Sequence, residues 1–78
     1  MDLVHGAVRY ISRMKENDME GWCAMELEAR RQDSSSCAAR VVFWDASGEF
    51  CVETFGAQVP LTVFELLIRE ARIAIPAA

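Results

Sequence analysis

The stretch DLVHGAVRYISRMKEN, residues 2–17, decides how many strands and helices the chain holds. Spaced at about 100° per residue, Leu3, Val4, Ala7, Val8, Tyr10, Ile11 and Met14 fall on one side, with His5, Arg9, Ser12, Arg13 and Glu16 opposite. That spacing predicts an amphipathic helix, with Asp2 available as its N-cap. A strand is the alternative, because Val4, Val8, Tyr10 and Met14 alternate with His5, Arg9, Arg13 and Lys15. It leaves Ile11 among the polar residues and Gly6 inside a strand, so the helix is preferred. The choice has a functional consequence. As a strand, this segment would add His5, Arg9, Arg13 and Lys15 to a sheet face and strengthen the case for nucleic-acid binding.

Downstream the period changes. In GWCAMELEARR, Cys23, Met25, Leu27 and Ala29 alternate with Trp22, Ala24, Glu26, Glu28 and Arg30, which is strand spacing. The polar cluster QDSSS reads as a turn, followed by a strand over residues 37–44, a tight turn at 45–48 and a third strand over 49–55. After Gly56 the segment VPLTVFELLIREARIAI returns to helical spacing, and Pro60 suits a first helical turn. Val63, Phe64, Leu67, Ile68 and Ala71 form its apolar arc, with Leu61 at the edge and Leu66 and Ile73 outside it. The expected fold is α+β: a three-stranded antiparallel meander between an N-terminal and a C-terminal helix (αβββα), with ββββα as the alternative. The αβββα order is similar to that of double-stranded-RNA-binding domains, a likeness of topology that carries no function.

A turn at residues 45–48 fixes a register. It sets Trp44 opposite Glu49, Val42 opposite Cys51 and Arg40 opposite Glu53 on one face, with Phe43–Phe50 and Val41–Val52 on the other. The preceding pair of strands, aligned in the same way, sets Trp22 opposite Trp44 and Glu26 opposite Arg40. One face, made of Cys23, Met25, Leu27, Ala39, Val41, Phe43, Phe50 and Val52, is then uniformly apolar and must be the core side. The other is divided between an ion-pair row, Glu26–Arg40–Glu53, and an apolar end containing Trp22, Trp44, Ala24, Val42 and Cys51. Cross-strand pairs contribute roughly 0.2–1 kcal/mol each, too little to keep two tryptophans in water, so something is expected to cover that end.

Composition narrows the function classes. The chain has 78 residues, 53% hydrophobic and 26% charged, enough for one small domain spanning residues 1–78. Its formal charge of −4 repels phosphate backbones and anionic membranes. No apolar run approaches the ~20 residues of a bilayer span, and the N-terminal residues show no basic stretch followed by an apolar run, so a soluble, cytoplasmic protein is expected. Cys23, Cys37, Cys51 and the single histidine, His5, are too scattered for a structural zinc site, so no metal or other cofactor is expected. The same scarcity gives no paired nucleophile and base, no phosphate-binding glycine loop and no small-molecule substrate. The chain is read as non-catalytic.

What remains is a protein–protein interaction module: an adaptor, an accessory subunit or an inhibitor. The candidate contact residues are Trp22, Trp44 and Val42 on the sheet and Val63, Leu66 and Ile73 on the final helix, with a homodimer as the simplest partner. The alternative is a small single-stranded nucleic-acid binder that stacks bases on the indoles, disfavoured by Glu26, Glu28, Glu49 and Glu53 nearby.

Overall fold

The computed structural model describes residues 1–76. Five strands, β1 (Asp2–His5), β2 (Val8–Asn17), β3 (Trp22–Arg31), β4 (Ser34–Trp44) and β5 (Glu49–Thr54), form an antiparallel meander in sequence order. One helix, α1 (Leu61–Ala74), follows. The coarse α+β architecture matches expectation; the N-terminal helix does not exist. Residues 2–17 form a hairpin, so the order is βββββα, one strand beyond the ββββα alternative.

The physical reason lies at Gly6. It is not inside a strand but is the first of the two loop residues between β1 and β2, with φ +63°. Ala7 has negative φ, since no non-glycine residue is positive, so the loop follows the type II′ pattern that lets a two-residue turn match strand twist. Leu3 then pairs with Tyr10 and Val4 with Arg9. Ile11, awkward for a single strand, does stand among polar residues, between Asp2 of β1 and Glu28 of β3, and is only partly buried.

The inferred registers of the other strands hold. Trp22 pairs with Trp44, Glu26 with Arg40, Arg40 with Glu53 and Phe43 with Phe50. Past Leu27 the β3–β4 register shifts by one, with Ala38 as the extra residue. Only Gln32 and Asp33 form the turn; Ser34–Ser36, expected as loop, pair with the last residues of β3. The long β3 ladder supplies partners that override the weak strand preference of serine.

Helix α1 lies over β3 and β4. Val63, Leu67 and Ala71, spaced four apart, point down with Ile75 onto Tyr10, Met25, Leu27, Ala29, Ala39, Val41 and Phe43. Phe43 and Phe50 stack in a tilted pair, centroids 5.1 Å apart. Because the helix is centred on the middle of the sheet, the β5 margin is less well covered, and Val52 of the expected core is 49% exposed. The N-terminal ammonium meets Glu70 at 2.6 Å and Ser12 also bonds that carboxylate, tying the β1–β2 corner to α1. Among the described residues no helix is long and apolar enough to cross a membrane.

Candidate functional site

With α1 on one face, the other face of the sheet has no second layer among the described residues. Alternation along each strand brings five rows across it, the farthest being Val4, Arg9, Arg30, Ser35. Opposite Trp22 and Trp44 in the end row stand Asn17 of β2 and Glu49 of β5. The next row is Lys15, Ala24, Val42, Cys51, and the one after it is Arg13, Glu26, Arg40, Glu53. Beyond that, the bulge sets Cys37 opposite Glu28. Both indoles are half-buried.

The arrangement explains why they tolerate this position. The Arg40 guanidinium lies 5.2 Å from the centre of the Trp22 ring, and the indole N–H donates to Glu20 at 3.0 Å. Trp22 and Arg40 sit on either side of the Ala24–Val42 pair, so their contact arches over it. Ala24 and Val42 are fully buried yet stand outside the helix-side core cluster. Long amphipathic side chains form the lid that a second helix would otherwise supply.

Charges on this face are paired across strands. Arg40 Nε donates to Glu53 at 2.9 Å, while Arg40 Nη1 lies 3.8 Å from Glu26, whose other oxygen is 3.5 Å from Lys15 Nζ. The Glu53 carboxylate holds the Arg40 guanidinium above its ordinary pKa, with Glu26 adding to it. Glu28 accepts from Arg30 and from Ser35, and those bonds, Arg30's first, hold its carboxyl below the usual range. Burial, with Glu26 next, pushes the Cys37 thiol up. A depression of about 290 Å³ between β2, β3 and β4 is walled by Arg13, Lys15, Glu26, Glu28 and Cys37. Its charged walls differ from the apolar lining of typical small-ligand pockets.

No family model, no curated protein and no solved structure matches this chain.

The expected contact residues do not all reach one surface. Trp22 and Trp44 adjoin on the open face, but Val42 lies beneath the arch at 0% exposure. Val63, expected on the outer side of the final helix, is turned into the core at 1% exposure; Leu66 and Ile73 are exposed, on the opposite side of the molecule from the indoles. The helix trio therefore does not extend the tryptophan surface. The site also gains residues that the helical reading of residues 2–17 missed: as a strand, β2 brings Arg9, Arg13 and Lys15 onto the open face, while His5 turns to the helix side beside Tyr10. The signal was available in the two-step alternation from Val8 to Met14, once Gly6 is allowed to be a turn.

Proposed function

We propose that this protein is a small non-catalytic protein–protein interaction module that self-associates through the open sheet face around Trp22 and Trp44. The observation that carries this reading is the cross-strand pairing of the two half-buried indoles on a face without a covering layer. Tryptophan is enriched at interface hot spots, and the surrounding carboxylates and guanidinium form the polar rim such sites have. An adaptor, accessory subunit or inhibitor has this character. Gel filtration with light scattering is expected to show a dimer, and Trp44→Glu to yield a monomer whose circular dichroism is unchanged. A wild-type monomer at millimolar concentration would refute self-association.

A second reading is supported by the strand identity of β2. Arg9, Arg13 and Lys15 now share a face with two aromatic platforms, the pairing that single-stranded nucleic-acid binders use. Asp2, Glu26, Glu28, Glu49 and Glu53 on that face balance Arg9, Arg13, Lys15, Arg30 and Arg40, so no positive groove results. Quenching of tryptophan fluorescence by an oligonucleotide, weakening steeply with salt, would favour this reading over the first.

A further inference from the structure

We propose that a second copy of this chain docks face to face on the open sheet, about a two-fold axis parallel to the strands and midway between β3 and β4. The proposal rests on the self-association proposed above and adds its geometry. It comes from the order of charges across the sheet. In the row Arg13, Glu26, Arg40, Glu53 the signs alternate from β2 to β5. An axis along the strands reverses that order in the facing copy, setting Arg13 over the second copy's Glu53 and Glu26 over the second copy's Arg40. Each charge then meets its opposite, and the symmetry makes every pair twice. An axis across the strands keeps the order and sets like charges face to face.

The other rows obey the same operation. Trp22 comes over the second copy's Trp44. Lys15 comes over the second copy's Cys51, which Glu49 and Glu53 flank on β5. Across the four strands that overlap in the pair, β2 contributes the bases Arg13 and Lys15, and β5 the acids Glu49 and Glu53; Arg9, farther along β2, is already paired with Asp2 of β1. Only a partner with the reversed gradient matches both strands, and a second copy of the same face supplies it. Sheets stacked face to face lie about 10 Å apart with strands within about 30° of each other, so twist leaves the central rows in best register. Most of the affinity would come from the indoles; the charges choose the orientation.

Charge reversal and mixing test this. Arg13→Glu alone and Glu53→Arg alone each place like charges together twice, and each is expected to weaken the dimer at least about tenfold by sedimentation equilibrium. An equimolar mixture of the two variants restores opposite charges at both positions. Native mass spectrometry, which separates the two masses, is expected to show the mixed dimer dominating. A wild-type dimer with variants equally tight, or a mixture no tighter than either variant, would overturn this orientation and leave self-association standing. A wild-type monomer at millimolar concentration would overturn both. Should a reversal unfold the chain, Arg13→Ala and Glu53→Ala carry the test, each expected to weaken the dimer about threefold.

Discussion

On the helix side of the sheet, Leu27 and Val41 are dry because Val63, Leu67 and Ala71 lie on them; on the other side, Ala24 and Val42 are equally dry beneath single side chains. The first face is sealed by an element whose own backbone bonds hold it in place. The second is sealed by Trp22 and Arg40, which meet over the small residues and keep their outer surfaces in water. A second helix on the open face would need its own apolar stripe and connection, and the described residues use their one helix on the other face. The arch enlarges the dry interior by two residues at little cost in length. It also leaves a half-covered surface that a partner can cover further without any element moving aside.

The contrast sets an order of energetic consequences. Leu67→Ala removes a fully buried side chain from the centre of the helix contact, and such truncations cost about 2–5 kcal/mol. Small domains sit near the lower end of the roughly 5–15 kcal/mol range, so this change is expected to remove much of the stability, read as a lower urea midpoint. Trp22→Ala opens the arch. Its cost is expected to be about 1–2 kcal/mol, from partial re-exposure of Ala24 and Val42 and loss of the Arg40 contact, measured where the chain is monomeric. Equal costs for the two variants would break the comparison, showing that the open face contributes as much core as the helix side.

The two halves of the sheet were unequally legible in the sequence. Strands β3, β4 and β5 announce themselves because their alternation is long, the turn at 45–48 leaves one sensible register, and Glu26, Arg40 and Glu53 line up only in that register. The β1–β2 hairpin is hidden because each arm is short or irregular beside the turn, and Leu3, Val4, Val8 and Ile11 fit a helical wheel as well as two strands. Gly6 carries the missing information in its φ of +63°, which a helix cannot use. Ser34–Ser36 looked like loop because serine favours turns locally, while their pairing is imposed by β3. Val52 shows the third limit. Periodicity assigns a residue to a face, but how far α1 reaches over that face depends on docking, which leaves the β5 margin half-covered; Val63, by contrast, is buried as its place in the apolar arc implied, not exposed as a contact residue.

The smallest expected effect concerns the charged row within a single copy. Arg40 is held by Glu53 at 2.9 Å and approaches Glu26 at 3.8 Å, with side chains 23%, 36% and 21% exposed respectively. Water still screens these groups, so a double-mutant cycle of Arg40→Met and Glu53→Gln at monomeric concentration should give a coupling of about 0.5 kcal/mol. The single Arg40→Met change should cost more than the coupling, because Arg40 also roofs Val42 and stacks on Trp22. A cycle that accounts for the whole Arg40→Met cost would make the row purely ionic and the arch idle. A coupling near zero would instead leave Arg40 as a packing residue whose charge matters only when a second row of opposite order lies across it.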